Sequence, residues 1–278
     1  MFPFQTSLNA STLFPFKLNV LEQVRIAAEA GYNGIELWVS EIEQYLQQGG
    51  STGELRASLE QSGVVLANAI AFFKWSDRDE AVREAGFAQA EREMRMLAEI
   101  GCVAVAAPPF GDVADVPLAE MAQHYARLSE LGKRIGIDVY LEFWGRASNL
   151  SRIDQALVVK RESGVAGAKL LLDPFHMYTG GSSLEDLKQV DGGSIGIFHV
   201  NDYPAEPAQA VITDADRVFP GEGVAPTSAI AQQLYDSGYR GFLSLELFIA
   251  DFGGMTAEEV AAKGLADLKR AYDVQAAG

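Results

Sequence analysis

The feature that most constrains the fold is an alternation that runs the length of the chain. Eight short apolar runs recur, near residues 3–9 (PFQTSLN), 34–38 (GIELW), 64–70 (VVLANAI), 102–108 (CVAVAAP), 139–144 (VYLEFW), 168–175 (AKLLLDPF), 195–202 (IGIFHVND) and 242–248 (FLSLELF). Between them lie longer segments with apolar residues at helical spacing, among them LEQVRIAAEA, AEREMRMLAEI, MAQHYARLSELGKRI, SAIAQQLYDSG and AAKGLADLKRAYD. Near-continuous apolar runs are what parallel strands buried on both faces require. Several helical segments finish at a glycine that hands over to the next strand, as in EAGYNGIEL and EIGCVAV. Eight such units without a linker predict an α/β fold, a single (β/α)8 TIM barrel forming one domain over residues 1–278. A doubly wound open sheet is the competing arrangement. It calls for a glycine-rich nucleotide turn after the first strand, which is lacking here.

A barrel of this kind works at the C-terminal ends of its strands. Those ends carry Glu36, Asn68, Glu142, Asp173 and His176, then His199, Asn201, Asp202 and Glu246. Each stands among apolar neighbours, where an uncompensated charge is costly. Glu142, Asp173, His199 and Glu246 are separated by 31, 26 and 47 residues, which suits one group from each of four consecutive strands. Taken singly, each reads more readily as half of a buried ion pair. Together, three carboxylates and one imidazole form a hard, oxygen-rich donor set suited to Mn²⁺, Zn²⁺, Co²⁺ or Mg²⁺.

Composition narrows the partners. Thirty-eight acids against 22 Lys and Arg leave a formal net charge of −16, which repels nucleic acid and anionic membrane surfaces. No run of 18 apolar residues is present, and the N-terminus lacks a basic segment ahead of an apolar core, so a cytoplasmic location is expected. The one cysteine, Cys102, begins an apolar run and reads as a small packed hydrophobe. The expected partner is a small molecule, and a homo-oligomer is compatible with these features.

The motifs LEF, LLLDPFH, IFHVND, DRVFPGEG and LSLELF, in this order, resemble the xylose isomerase-like family of sugar isomerase/epimerase barrels. The resemblance runs along the whole chain and is strongest from Glu142 onward. Within that family, ANAIAFFKWSDRDE, SLEDLKQVDG, ITDADRVFPGEG and LELFIADFGGMTAEE look most like the inosose isomerases, which interconvert 2-keto-myo-inositol and 1-keto-chiro-inositol. The loops FWGRASNL and HMYTGGSS depart from the pattern, and loops of this kind select substrates. The resemblance implies a divalent metal held by Glu142, Asp173, His199 and Glu246. It also implies proton transfer by Glu142 and Glu246 through a cis-enediolate.

Substrate contacts are expected from His176, from Arg217 in the DRVFPGEG loop, and from Asn68 and Trp144. For Glu36, a place behind the metal ligands and a bond to a substrate hydroxyl both stay open. Arg217 has a structural alternative, an ion pair with Asp202 or Asp214 that fixes its loop. Trp38, Trp75 and Trp144, with Phe72 and Phe73, are expected either to wall a sugar-sized pocket or to cap the core. His124 reads as a surface or packing residue on an outer helix, and Ser182 with Glu185 as a capping box. Competing activities are a dehydratase acting on 3-dehydroshikimate or inosose, a hydroxypyruvate isomerase and a ketose 3-epimerase. A catalytically silent carbohydrate-binding barrel is the non-enzyme alternative. A multinuclear zinc endonuclease is disfavoured by a chain with three histidines.

Overall fold

The computed structural model describes residues 1–275, so residues 276–278 of the expected domain lie outside the described residues. Eight parallel strands pair in sequence order and close on themselves, strand one beside strand eight. They are β1 (Gln5–Asn9), β2 (Gly34–Trp38), β3 (Val65–Ile70), β4 (Ala104–Ala107), β5 (Asp138–Glu142), β6 (Lys169–Leu172), β7 (Ile195–Val200) and β8 (Phe242–Leu245). The main outer helices are α1 (Val20–Ala30), α2 (Val39–Gln47), α3 (Thr52–Ser62), α4 (Glu80–Ile100), α5 (Leu118–Ile135) and α6 (Ile153–Glu162). Two short ones, α7 (Pro174–Gly180) and α8 (Leu184–Leu187), follow β6, and α9 (Thr227–Asp236) and α10 (Ala257–Ala271) complete the ring.

The period of two along each strand divides the core. Leu8, Ile35, Val105, Leu141, Leu170, Phe198 and Leu245 face the helices and belong to the large apolar cluster. A second, smaller cluster of Ala104, Ala106, Tyr140, Leu171 and Ile197, with Phe242 against it, fills the barrel interior. The interior positions nearer the C-terminal ends are the polar ones. Glu142 follows Tyr140 by two residues, Asp173 follows Leu171, His199 follows Ile197, and Ser244 and Glu246 continue from Phe242. The aromatic and aliphatic side chains therefore form a plug beneath a polar mouth. Helix ends are closed locally: Asn19 and Glu22 make a reciprocal capping box on α1, and Gly31 ends it at φ 90°.

One open alternative is decided for two of the aromatic residues, and one expectation shifts. Trp75 and Phe73 are fully buried in the apolar core, away from the mouth, and the Trp75 indole donates to the Pro108 carbonyl at 2.7 Å. The capping box falls one residue later than expected. Ser183 and Asp186 form it at the start of α8, while Ser182 accepts from the Ile153 amide and Glu185 pairs with Lys188.

Candidate metal centre

Asp173 ends β6 and also caps α7, with Pro174 at the first helical position. Its two oxygens have separate tasks. Oδ1 accepts from the Phe175 amide at 2.7 Å and from Asn201 at 3.1 Å, which ties it to the scaffold. Oδ2 faces the barrel axis, 2.8 Å from Arg217 Nη1 and 3.7 Å from His199 Nδ1. Burial pushes the Asp173 carboxyl up, but Arg217 and His199 outweigh it and hold the group well below the ordinary range.

His199 sits on β7 with 1% of its surface exposed. Its Nε2 lies 3.0 Å from Glu36 Oε2. Glu36 in turn accepts from Asn68 at 2.7 Å, from Asn9 at 3.3 Å and from Ser244. A carboxylate behind an imidazole is the arrangement that fixes a metal-ligating histidine's ring and tautomer. Burial raises the Glu36 pKa, but His199, Ser244 and Asn68 bring it below its ordinary value. The other imidazole nitrogen, Nδ1, is 3.0 Å from Glu246 Oε2, yet makes no hydrogen bond to any described residue. Burial lowers the His199 pKa, and Glu246 with Glu36 overcomes this to raise it well above the usual value.

Among the described residues, Asp173, His199 and Glu246 bring ligand atoms within 4.8 Å of one another. A buried imidazole nitrogen without a hydrogen bond, facing two carboxylates, fits a divalent cation bound by nitrogen and oxygen. Glu142, the fourth member of the expected set, stands outside this trio. It is 5% exposed at the same mouth and accepts from the Trp144 indole at 2.9 Å. Burial pushes the Glu142 carboxyl up to about 8, with Glu246 and Asp173 adding to it and His199 opposing.

Arg217 is 1% exposed. Nη1 bridges Asp173 Oδ2 and Glu246 Oε2, both at 2.8 Å, while Nη2 reaches Asp214 at 2.5 Å. The rings of Phe175 and Phe248 flank the guanidinium at 4.6 and 5.2 Å. The expected structural pair with Asp214 is therefore present, alongside two contacts at the centre. The pair with Asp202 is not. Asp202 instead accepts from the amides of Tyr203, Gly221 and Ala225, and so closes the loop that carries Arg217. A side chain at Gly223 would place Cβ 2.2 Å from the Tyr203 carbonyl, so the tight turn needs glycine there.

Above these groups opens a cleft of about 700 Å³. Glu142, Glu246, His176 and Arg217 reach into it, and Trp38, Phe72, Phe110, Trp144 and Phe248 supply aromatic surface. His176 is half-buried, and its burial lowers the imidazole pKa. Asn68, expected toward substrate, is fully buried and spends its amide on Glu36. Two contributors escaped the sequence reading. Asn9, at the end of β1, donates to both Glu36 and Glu246 and accepts from the Trp38 indole at 3.0 Å. Ser244 donates to Glu36. Their one signal was spacing: Ser244 precedes Glu246 by two residues, on the same face of β8.

Glu36→Gln tests the support behind His199. Exchanging the carboxylate for an amide is expected to weaken divalent-metal affinity by about 10–100-fold, read by chelator competition. Unchanged affinity would remove Glu36 from this role.

A closed eightfold barrel with an oxygen-rich donor set at its C-terminal mouth, beside an aromatic cleft, defines the class of α/β barrel to which the chain belongs. The xylose isomerase-like TIM barrel family model matches residues 24–271, and the chain belongs to that family. The inosose isomerase of Bacillus velezensis is 28% identical over 249 residues, covering 87% of this chain and 88% of the relative. That of Bacillus subtilis is 30% identical over 197 residues, covering 69% and 70%. Among solved structures, IOLI protein with a zinc atom superposes with a TM-score of 0.89 at 24% identity, covering 97% of this chain and 98% of that one, a likeness of fold. Among the described residues, no helix is long and apolar enough to cross a membrane.

Proposed function

We propose that the chain is a divalent-metal-dependent isomerase or epimerase of keto-sugars or keto-polyols, acting on 2-keto-myo-inositol by proton transfer through a cis-enediolate. The observation that carries this reading is the convergence of Asp173, His199 and Glu246, with ligand atoms mutually within 4.8 Å, beneath a cleft lined by Glu246 and Glu142. Its likeness to inosose isomerases over most of the chain supports the choice of substrate.

Asp173, His199 and Glu246, with Glu142 beside them, would hold Mn²⁺, Zn²⁺, Co²⁺ or Mg²⁺. When bound, the cation supplies Lewis acidity that stabilises negative charge developing on adjacent substrate oxygens. Glu142 and Glu246 take and return the proton between neighbouring carbons. A carboxyl whose pKa is lifted toward neutrality by burial suits such exchange. Arg217 contributes fixed positive charge beside the developing anion. His176, in the cleft wall, offers a hydrogen bond to a substrate oxygen, and Trp144 orients Glu142 while giving its ring face to substrate C–H groups. The acidic surface and single cysteine fit a cytoplasmic enzyme with a small-molecule substrate.

The test is an NMR time course in D₂O with 2-keto-myo-inositol and Mn²⁺-loaded protein, with Glu246→Gln as control. A new ketone signal, or deuterium beside the carbonyl, supports the isomerase if the control is silent. Loss of water to an enone identifies a dehydratase on the same residues. No change with any metal sinks the inosose assignment.

A further inference from the structure

The floor of the cleft balances its charges internally, but its rim does not. Arg217 is matched by Asp173, Glu246 and Asp214. Lys74 and Arg146 also line the cleft. Among the described residues, neither has a carboxylate oxygen within 4.0 Å. Lys74 follows β3 and is half-buried, its ammonium 6.0 Å from the centre of the Phe110 ring. Phe110 in turn packs edge-on against Trp144 at 6.2 Å, two residues before Arg146. Both cations therefore share the cleft with this aromatic pair.

Arg146 is held in place by backbone alone. Nη2 donates to the carbonyls of Gln209 at 2.8 Å and Ile212 at 2.5 Å, and Nη1 to that of Ala210 at 3.3 Å. Carbonyl dipoles orient a guanidinium without neutralising it, and Nε with one Nη1 proton remains uncommitted. Lys74 and Arg146 thus bring two cations without an acidic partner to one cleft, Arg146 exposed at its edge. Water solvates both in the free protein, and a neutral hydroxyl replacing that water accepts a hydrogen bond but brings no opposite charge. An anion would satisfy both demands.

We propose that this rim forms a carboxylate subsite, so that the cleft also takes keto-sugar acids beside the neutral keto-polyol of the main reading. The proposal rests on the keto-polyol isomerase reading of the cleft and adds a charged substrate to it. It concerns groups separate from the proton-transfer residues. The loop after β7 contributes Asp214 and Arg217 to the lining, and Arg217 is matched by acids, which leaves the unpaired positive charge on the β3 and β5 side.

The test pairs D-gluconate with D-glucitol, which differ by a carboxylate in place of a CH₂OH group. Each is titrated calorimetrically into Mn²⁺-loaded protein. The wild type is expected to favour gluconate by about tenfold or more. The ratio should fall toward unity in Lys74→Met with Arg146→Gln. Both positions lie on the rim, and thermal unfolding of the double variant checks that it folds. A gluconate preference retained in the double variant would locate the carboxylate at the floor and overturn the proposal. No preference, or no gluconate binding, would overturn it too, as would inorganic phosphate binding more tightly than gluconate through the same two residues. Deuterium exchange into 2-keto-myo-inositol separates the two readings. Exchange without carboxylate preference removes this subsite alone, and Lys74-dependent gluconate binding without exchange into any keto-sugar removes the isomerase alone.

Discussion

Replacing Glu246 with glutamine is expected to lower turnover by about 10²–10⁴-fold, the usual worth of a positioned proton-transfer group. Glutamine keeps the length and branching of the side chain, so the effect isolates charge and basicity. Glu246 accepts from Asn9 at 3.1 Å through one oxygen and from Arg217 at 2.8 Å through the other, with His199 Nδ1 3.0 Å away. An amide can keep one acceptor toward Arg217 but presents donors toward Asn9. The mismatch should cost about 1–3 kcal/mol of stability, too little to unfold a barrel with so large a core. The measurement is deuterium exchange beside the substrate carbonyl, with near-ultraviolet circular dichroism as the check on packing. Glu130, exposed on α5 and paired with Arg134, serves as the comparison. Its glutamine variant should be silent. Turnover of Glu246→Gln within tenfold of wild type would remove Glu246 from proton transfer.

The fold was legible because parallel barrel strands are buried on both sides and must be written as apolar runs. All eight expected runs overlap a strand, although several are trimmed: Cys102–Pro108 shrinks to Ala104–Ala107, and β5 starts one residue early at Asp138. Asp173, His199 and Glu246 stood out for a related reason, since a charge inside an apolar run needs a partner. What the runs could not convey was distance. Strand tilt and stagger set how far Glu142 stands from the other three, and neither is written in local spacing. Asn9 and Ser244 were missed because short neutral side chains raise no electrostatic alarm, although they complete the support behind Glu36 and His199.

Trp75 shows a different limit. Aromatic residues after a strand can turn outward to a cleft or inward to the core. Here the indole donor found the Pro108 carbonyl, and the ring packs near Tyr125 at 6.2 Å. The capping box was ambiguous in a simpler way. Ser182 with Glu185 and Ser183 with Asp186 fit the same pattern, and the left-handed turn at Gly181 decides where α8 begins.

Arg217→Met should destabilise the protein by about 3–5 kcal/mol, because breaking a buried ion pair from one side leaves its partners charged and unpaired. Methionine preserves an unbranched apolar stem between Phe175 and Phe248, so packing loss is a minor part of the change. Asp173, Glu246 and Asp214 would then face one another around a site with no guanidinium. Burial opposes the charged form of Arg217, and Asp173 with Glu246 raises its pKa regardless, so those acids are the groups most exposed by its removal. Urea unfolding gives the loss directly. Adding Mn²⁺ sharpens the assignment, since a divalent cation held by Asp173 and Glu246 would supply positive charge to the acids that Arg217 now neutralises. The variant should therefore gain more stability from the metal than the wild type gains. Arg217→Lys separates charge from shape: one ammonium cannot bridge Asp173, Glu246 and Asp214 together, so only part of the stability should return. A fall below about 1 kcal/mol in Arg217→Met, with equal metal stabilisation in both proteins, would mean that the guanidinium is a loop anchor without influence on the acids at the centre.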